Sequence, residues 1–328
     1  MSEVTVAMES VQVSAGVRLD VLIGANSKEP LLLKNPVLAA SGTVGLESTG
    51  LLNVEALGGF VTASVTRYPR RGNPGPRVVE TPSGILHATG LQNPGVHRLI
   101  KDQSPTWKRS TVPVIVSIAG DTAEDFAYLA GEIDGIPGLS GFELNLPGRY
   151  AGHGGTATEE SAFIENLTYT VRSRTGLPIL VKLPPDLWDI CGAAGAAERG
   201  GADAISLINS PTGMKIDSWT GRSELGAFGA GLSGPAIRPL ALWLVWLVSQ
   251  TVSIPVVGIG GIASIEDTLE FIMAGASAVQ VGTASFVDPK AAVEIVQRLP
   301  VEIEARGFHS VREIVGLAHP ARLEADDN

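Results

Sequence analysis

The chain has 328 residues, and its 24 lysines and arginines against 34 aspartates and glutamates give a formal net charge of −10. Only 18% of the residues are charged and 44% are hydrophobic, a composition that excludes a disordered chain. The acidic balance disfavours nucleic acid and anionic membranes as partners. The single cysteine excludes a disulfide framework and a cysteine-only metal site.

The N-terminal residues predict neither a targeting signal nor a membrane anchor. The segment MSEVTVAMESVQV has no basic stretch followed by an apolar one. The most apolar window, Leu240–Val248, is far shorter than the roughly 20 residues that span a bilayer, and it predicts a buried or interface helix. We therefore expect a cytoplasmic protein without membrane contact. Residues 1–35 are expected to form an N-terminal extension with a hairpin, residues 36–305 a barrel and residues 306–328 a C-terminal tail or helix.

Short apolar runs bounded by Gly, Pro or Asn recur along the chain, and each predicts a β-strand. In chain order they are Pro36–Ala40, Gly59–Val65, Pro113–Ile118, Gly141–Leu146, Pro178–Leu183, Ala202–Ile208, Pro255–Ile259 and Ala278–Gly282. The runs are nearly continuous rather than alternating, which is typical of parallel strands that are buried on both faces.

Helical segments are predicted between most of these strands. They are Ala123–Ile136, Glu160–Thr175, Leu187–Gly200, Pro239–Thr251, Ser264–Ala274 and Pro289–Leu299. Several end at a glycine, the expected cap at the carboxyl end of a helix. Eight strands with intervening helices predict an α/β fold, a (β/α)8 TIM barrel with an N-terminal hairpin. A doubly wound open sheet is the alternative, but the glycine fingerprint after its first strand is missing.

Two long insertions, Arg67–Ser110 and Ser210–Pro239, follow the second and the sixth predicted strands. Each begins at the carboxyl end of a strand, and this face of a barrel holds the active site. Loops of this length in a compact domain are usually lids or binding segments. We therefore expect both insertions to border the functional site.

Glycine-rich segments follow the last two predicted strands, where barrels often bind phosphate. They read GIGGIAS at Gly258–Ser264 and VGTASF at Val281–Phe286. Residues without side chains let backbone N–H groups converge on phosphate oxygens, although glycine can also serve only as a turn residue. Lys182 lies within the apolar run PILVKL and is expected in the barrel mouth, either beside an electron-rich cofactor ring or in a structural ion pair.

Several blocks of sequence share one order and spacing with a known family. The blocks are KNPVLAASGTVG (34–45), RGNPGPRVVETPSGIL (71–86), GLQNPG (90–95), FELN (142–145), VKLPPD (181–186), SLINS (206–210), GLSGPAIRP (231–239), VGIGGI (257–262) and AGASAVQVGTASF (274–286). Over about residues 30–300 the chain resembles class 1 dihydroorotate dehydrogenases, most closely the 1B type. The resemblance implies an FMN-binding (β/α)8 barrel that oxidises a saturated cyclic C–C bond. Hydride passes to the flavin while a side-chain base removes the neighbouring proton.

The resemblance assigns roles to residues at matching positions. It implies contacts with FMN by Ser41, Gly42, Asn145, Lys182, Ile208, Gly234, Gly260, Gly261, Gly282 and Thr283. It implies a substrate pocket formed by Thr89, Gly90, Leu91, Asn93, Asn145, Asn209 and Ser210. We expect no metal site, because His97, His309 and His319 show no metal-ligand spacing.

The chain departs from the family pattern at four positions. The family reads ISCPN after ELN and uses that cysteine as its base, whereas this chain reads LPGRY, so Gly148 stands at the position of the base. Ala63 replaces a lysine that contacts the flavin and the substrate carboxylate, and Ser117 replaces an asparagine at the flavin. His87 replaces an asparagine that binds the substrate. We expect Ala63 and Ser117 beside the cofactor, His87 and Gly148 beside the substrate, and Cys191 as an inert buried thiol.

These departures predict changed chemistry on a retained fold. Without the lysine, a substrate carboxylate lacks one charged hydrogen-bond partner, at a cost of about 1.5–3 kcal/mol. We therefore expect a substrate that is bulkier than dihydroorotate and lacks its carboxylate. His87, Tyr150 or His153 is expected to replace the base, with His87 foremost because imidazole titrates near neutral pH. The alternatives are a neutral hydrogen-bonding role for His87 and exposed loop roles for the other two.

Three functional hypotheses fit the sequence. The first is an FMN-dependent oxidoreductase that acts on a CH–CH bond of a divergent small-molecule substrate in a specialised pathway. The second is a dihydroorotate dehydrogenase 1B catalytic subunit of pyrimidine biosynthesis, which would need an iron–sulfur/FAD electron-transfer subunit as partner. The third is a flavin-binding protein with non-oxidative or no catalysis. We expect a homodimer in each case.

Overall fold

The computed structural model of the protein describes residues 16–25, 27–44, 53–148 and 156–322. Its strands are β1 (Val21–Ile23), β2 (Leu31–Leu33), β3 (Val37–Ala39), β4 (Gly59–Val61), β5 (Val78–Thr81), β6 (Gly84–His87), β7 (Val114–Ile118), β8 (Leu139–Asn145), β9 (Ile179–Leu183), β10 (Ala204–Leu207), β11 (Thr212–Gly213), β12 (Ala230–Ser233), β13 (Val256–Ile259) and β14 (Ala276–Val281). Its α-helices are α1 (Val96–Trp107), α2 (Ala123–Ile133), α3 (Ala157–Arg172), α4 (Ile190–Arg199), α5 (Arg238–Ser249), α6 (Ile265–Met273), α7 (Ala284–Val287), α8 (Ala291–Ala305) and α9 (Val311–Ile314).

Eight of these strands form a closed parallel barrel in the order β3, β4, β7, β8, β9, β10, β13 and β14. They are the eight strands predicted from the apolar runs, with ends that differ by a few residues. All five residues of β7 and all five of β9 are buried, because the barrel interior covers one face of each strand and the helices cover the other. The predicted TIM barrel is confirmed. Closure of β14 onto β3, with Val281 opposite Ala39, excludes the open sheet.

The helices predicted between the strands are present as α2 to α6 and α8, and their first residues explain where they begin. Thr122, Thr156 and Ser264 each accept a hydrogen bond from the backbone N–H three residues further on. Asp267 completes a capping box with Ser264 and also forms an ion pair with Arg238 at the start of α5. The starts of α5 and α6 are thereby joined beside the loop that follows β13.

The N-terminal hairpin lies at the amino ends of the barrel strands. β1 and β2 pair antiparallel, as predicted. Their turn contacts the residues that precede β9 and β10: the backbone N–H of Lys28 donates to the carbonyl of Gly176 at 3.2 Å, and Ser27 Oγ donates to Asp203 Oδ1 at 2.8 Å. The hairpin therefore covers the end of the barrel opposite the predicted site. The domain boundaries at residues 35 and 305 stay a prediction.

The two long insertions pair with each other instead of forming open loops. β12 pairs antiparallel with β6, which places Gly231 opposite His87, and β11 and β5 complete a sheet in the order β11-β12-β6-β5. We call these four strands the roof sheet. Leu86 and Ala230 of this sheet form a small apolar cluster with Ala88 and Leu225 from the adjoining loops. Neither this sheet nor helix α1 was predicted from the sequence. β6 and β12 are far apart in the chain, and neither predicts the other.

The apolar window in Leu240–Val248 lies on α5. One face of this helix is buried against the barrel, and Trp243 on the other face is 54% exposed and stacks on Trp246 with ring centroids 5.3 Å apart. Within the described ranges, no helix combines the length and the apolar composition that a membrane crossing requires.

The contact between α6 and β13 supplies a test of the core packing. Phe271 is completely buried, and a Cβ at Gly258 would collide with its ring. We predict that Phe271→Ala lowers the free energy of unfolding by about 3–5 kcal/mol, because a cavity replaces the ring. Urea denaturation followed by circular dichroism measures this change. Phe228→Ala, at a side chain that is 80% exposed, is the control and should shift it by less than about 0.5 kcal/mol. Equal midpoints for the two variants would contradict the assigned packing.

Candidate active site

The carboxyl ends of the barrel strands and the roof sheet enclose a cavity of about 990 Å³. The predicted cofactor residues that line it are Ser41, Gly42, Ala63, Asn145, Lys182, Ile208, Gly234, Gly260, Gly261, Gly282 and Thr283. The predicted substrate residues that line it are His87, Thr89, Leu91, Asn145, Asn209 and Ser210. Its volume lies at the upper end of the usual range for ligand sites, which is enough for a cofactor and a small substrate together.

Other predicted residues lie outside the cavity lining. They are Ser117, Gly90, Asn93 and Gly148. Ser117 is completely buried behind the cavity wall. Gly90 has a backbone φ of 66°, which glycine adopts without strain. Tyr150 and His153, the two alternative bases, lie outside the described residues.

Asn93 holds its own loop together, which accounts for its place outside the lining. Its Oδ1 accepts the backbone N–H groups of Thr66 at 3.2 Å and Gly95 at 2.9 Å. Its Nδ2 donates to the carbonyl of Leu91 at 2.7 Å and to Thr66 Oγ1 at 2.8 Å. Both donors and the acceptor of the amide are used within the protein, so a substrate role for Asn93 stays a prediction without a contact that supports it.

The loop after β13 combines an enforced glycine turn with free backbone donors. Gly260 and Gly261 have φ values of 126° and 76°, and a Cβ at either residue would press against Ile237 or Arg238 at the start of α5. Their N–H groups make no hydrogen bond within the described chain, and neither does the N–H of Gly282 after β14. The two interpretations of these glycines, turn residues and phosphate donors, are therefore compatible.

Lys182 belongs to a buried charged group inside the barrel. Its side chain is 9% exposed, and its Nζ lies 3.5 Å from Oε1 of the fully buried Glu143. Gln280 Nε2 donates to the other oxygen of Glu143 at 2.6 Å. The predicted alternative of a structural ion pair is therefore present. Since an ammonium has three donors and this contact is long, Lys182 keeps donors for a ligand at the cavity surface.

A chain of hydrogen bonds crosses the cavity from β7 to the roof sheet. Ser117 Oγ lies 2.8 Å from Ser64 Oγ, which accepts from Asn145 Nδ2 at 2.9 Å. Asn145 Oδ1 accepts from Asn209 Nδ2 at 2.8 Å, and Asn209 Oδ1 accepts the backbone N–H of the next residue at 2.9 Å. The side chain of that next residue, Ser210, hydrogen-bonds to the histidine of β6. The chain joins four strand ends and the roof sheet into one polar surface.

His87, on β6, is the titratable group at the end of this chain. Its Nε2 lies 3.0 Å from Ser210 Oγ. Burial of the imidazole, and secondarily the positive charge of Lys182, lower the pKa of His87 below its ordinary value of 6.5. His87 is therefore neutral at neutral pH, and a neutral imidazole can accept either a hydrogen bond or a proton.

Position 148, where the resemblance places the base, has no side chain. A Cβ at Gly148 would lie 3.4 Å from both carboxylate oxygens of Asp186, in the loop after β9. The one cysteine of the sequence, Cys191, lies on α4 in the outer layer of the barrel and is only partly buried, which corrects the expectation of a buried thiol. No thiol is therefore available among the cavity residues.

Part of the cavity lining was not predicted from the sequence. The missed residues with polar or charged side chains are Thr43, Ser64, Glu80, Thr81, Ser83, Gln92, Ser233, Asp288 and Glu294. Ser233 accepts a hydrogen bond from Thr283 Oγ1 at 2.9 Å and so joins the roof sheet to the loop after β14. Four of the missed residues, Thr43, Ser64, Gln92 and Ser233, are next to a predicted residue in the sequence, and this position was the available signal. Glu80, Thr81 and Ser83 lie in the roof sheet or its turn and Asp288 follows α7, and neither the sheet nor α7 was predicted. Glu294 lies on the predicted helix α8.

Comparison with known proteins decides the family. Residues 29–303 match the model of the family described as "Dihydroorotate dehydrogenase". The chain belongs to the dihydroorotate dehydrogenase family. It is 48% identical over 292 residues to the "Dihydroorotate dehydrogenase B (NAD(+)), catalytic subunit" of Desulforudis audaxviator, a match that covers 88% of this chain and 95% of the relative. The proteins of the same name from Pelobacter propionicus and Geobacillus kaustophilus are 45% and 42% identical, each over 87% of this chain and 95% and 92% of the relative.

Membership in the dihydroorotate dehydrogenase family makes the protein an oxidoreductase on a TIM barrel and places its chemistry at the carboxyl ends of the strands. No group of three or more potential metal ligands occurs in the described ranges.

The electrostatics of His87 can be tested directly. We predict that the ring signals of His87, assigned in NMR spectra with His87→Asn, titrate below pH 6.5. Lys182→Met should raise the pKa of His87, because it removes the positive charge that helps to lower this pKa. Lys28→Met, at the opposite end of the barrel, should leave it unchanged. Because the unfolded chain binds this proton more readily, the free energy of unfolding should decrease as pH falls below 6.5. A His87 pKa above 6.5 in the wild-type protein would contradict the assigned burial.

Proposed function

We propose that the protein is an FMN-dependent oxidoreductase that acts on a CH–CH bond of a small cyclic substrate, by dehydrogenation or by reduction of the corresponding alkene. One observation supports this most directly: a single cavity brings together three sets of groups. Free backbone donors after β13 and β14 suit a phosphate. Lys182 suits an electron-rich ring, and the amides of Asn145 and Asn209 suit the carbonyl groups of a small ring.

The residues present fit FMN. A Cβ at Gly42 would meet no atom within 4 Å, and one at Gly282 would make only ordinary contacts with Ala40 and Thr43, so both glycines border open space in the cavity. The backbone donors of Gly260 and Gly261 would hold the phosphate, and Lys182 would hold the ring edge that becomes electron-rich on reduction. When bound, FMN would supply the hydride acceptor or donor of the reaction.

The protein's own residues would orient the substrate and move its proton. Asn145 and Asn209 lie at the cavity floor with their amides fixed by hydrogen bonds, which suits them to hold a substrate ring in one orientation. His87 is the base that we propose, because its lowered pKa keeps it unprotonated at neutral pH and Ser210 orients its ring. Tyr150 and His153 stay alternatives for this role.

The side chains of the cavity favour a substrate without a carboxylate. Among the described residues that line it, Lys182 is the one cationic side chain at neutral pH, whereas three lining residues, Glu80, Asp288 and Glu294, are acidic. Ala63 provides no charge where the resemblance expects a lysine. A substrate anion would therefore compete with the flavin for Lys182, at a cost of about 1.5–3 kcal/mol for the missing charged hydrogen bond.

A second candidate is the oxidation of dihydroorotate itself by a catalytic subunit that passes electrons to a partner subunit. The relatives favour it over a divergent substrate, because proteins that are 42–48% identical to this chain are named as dihydroorotate dehydrogenase B catalytic subunits. Two residues weigh against it. Ala63 does not supply the cation that the resemblance expects, and Gly148 does not supply the base. An electron-transfer subunit belongs to this candidate, and the predicted homodimer stays a prediction in both.

FMN binding is tested by filling the cavity wall. We predict that Gly282→Val weakens FMN binding more than tenfold while the fold is retained, because the added side chain extends from an unstrained backbone into the cavity. Gly131→Val on α2, where a Cβ would meet no atom within 4 Å, is the matched control and should bind FMN like the wild type. Flavin fluorescence titration measures the affinity, and circular dichroism checks the fold. A wild-type protein that takes up no FMN would refute the proposed function.

The substrate is tested with two rings that differ only in the carboxylate. We predict that FMN-loaded protein binds orotate no more tightly than uracil and that dihydroorotate does not rapidly bleach the flavin under anaerobic conditions. Ala63→Lys should tighten orotate binding by about tenfold or more and leave uracil binding unchanged, since it restores a charged partner for the carboxylate. Ala305→Lys, at the exposed end of α8, is the control. Rapid bleaching by dihydroorotate in the wild type would establish the second candidate instead.

A further inference from the structure

The amides of Asn209 and Asn145 on the cavity floor can take only one orientation, because a backbone N–H fixes the first of them. The N–H of Ser210 can only donate, and it donates to Asn209 Oδ1 at 2.9 Å. The other end of the Asn209 amide is therefore its nitrogen, which lies 2.8 Å from the amide of Asn145. Asn145 must meet this donor with its oxygen, so its own nitrogen points away from Asn209.

A pair of serines lies at the nitrogen end of the Asn145 amide. Asn145 Nδ2 donates to Ser64 Oγ at 2.9 Å, and Ser64 Oγ lies 2.8 Å from Ser117 Oγ. Ser117 is completely buried, and its hydroxyl has no other hydrogen-bond partner in the described part of the chain. The two hydroxyls therefore depend on each other, and together they form the acceptor that the far end of the Asn145 amide requires.

We propose that Ser64 and Ser117 are positioning residues that fix the amide of Asn145 for the ligand. With its oxygen bound to Asn209 and one N–H bound to Ser64, Asn145 keeps one N–H for the cavity. Asn209 likewise keeps one N–H, because its nitrogen donates one N–H to Asn145. The floor therefore keeps two amide N–H donors, and each amide oxygen already accepts one hydrogen bond.

These donors bear on how a ligand is held. A carbonyl oxygen of a ligand ring can accept a hydrogen bond from either amide N–H. The inference about the ligand depends on the proposed function. The inference about the amide depends only on the protein's own hydrogen bonds.

A flipped Asn145 amide shows what the serines contribute. Reversal would place its nitrogen against the nitrogen of Asn209 and its oxygen where Ser64 must then donate. The hydrogen bond between Asn209 and Asn145 would be lost, and the N–H of Asn145 that is left for a ligand would point in another direction. Removal of the Ser64 hydroxyl removes the hydrogen bond at the nitrogen end of the Asn145 amide, so the amide is then held only by Asn209 and its donor direction becomes less defined.

The experiment compares Ser64→Ala, Ser117→Ala and the conservative Ser64→Thr with the wild type, each loaded with FMN and titrated with uracil. The matched control is Ser206→Ala, which removes a barrel hydroxyl that is as buried as that of Ser117 and has no hydrogen-bond partner among the described residues. We expect Ser64→Ala to raise the Kd of uracil about five- to tenfold and Ser117→Ala about threefold, with the Kd of FMN within about twofold of the wild type. Ser64→Thr should restore uracil binding, and Ser206→Ala should change neither constant.

A second measurement uses the protein without ligand. The side-chain amide signals of Asn145, assigned in NMR spectra with Asn145→Asp, should shift in Ser64→Ala and not in Ser206→Ala. This readout decides the positioning role even if the wild type binds no FMN, an outcome that would refute only the proposed function. Unchanged amide signals together with wild-type uracil affinity in Ser64→Ala would overturn the inference. A parallel loss of FMN and uracil binding would also overturn it, since it would indicate only a general structural role.

Discussion

The parallel register of β8, β9 and β10 is the constraint on which the cavity depends. It places Asn145 opposite Lys182, and Lys182 opposite Ser206. Because all eight strands of a closed barrel run in the same direction, their carboxyl ends meet in one ring, and residues that are far apart in the chain become neighbours. A slip of β9 by one residue would replace Lys182 by an apolar neighbour and leave Glu143 buried without a cation. The buried ion pair and the polar floor therefore exist only in this register.

The barrel could be predicted from the sequence because each of its strands is marked locally. Runs such as PVIVSI and PILVKL are apolar along their whole length and end at turn residues, and this pattern belongs to buried parallel strands. The roof sheet could not be predicted in the same way. β5 alternates between exposed and half-buried residues. β6 pairs with β12, which belongs to the other insertion, so its partner cannot be read from the neighbouring sequence. Pairing across such a distance is a property of the closed barrel and not of either segment.

The same distinction separates the predicted from the missed parts of the site. Lys182 and Asn145 stand out because a charged or an amide side chain interrupts or ends an apolar strand. Ser64 does not stand out, because an isolated hydroxyl has no local pattern and its hydrogen-bond partner, Ser117, lies on another strand. Asn93 shows the reverse case: its position suggested a ligand contact, but three backbone groups and the Thr66 hydroxyl use its whole amide. Sequence places polar side chains near the mouth of the barrel, whereas their partners decide what remains for a ligand.

The glycine at position 148 also bears on chemical durability. A thiolate that is basic enough to remove a proton is also a target for peroxide, which converts it to sulfenic acid and, irreversibly, to higher oxides. Here the only cysteine, Cys191, lies on the outer layer of the barrel, away from the cavity. Imidazole is far less easily oxidised than a thiolate. The described residues that line the cavity contain no sulfur atom, so peroxide meets no thiol there.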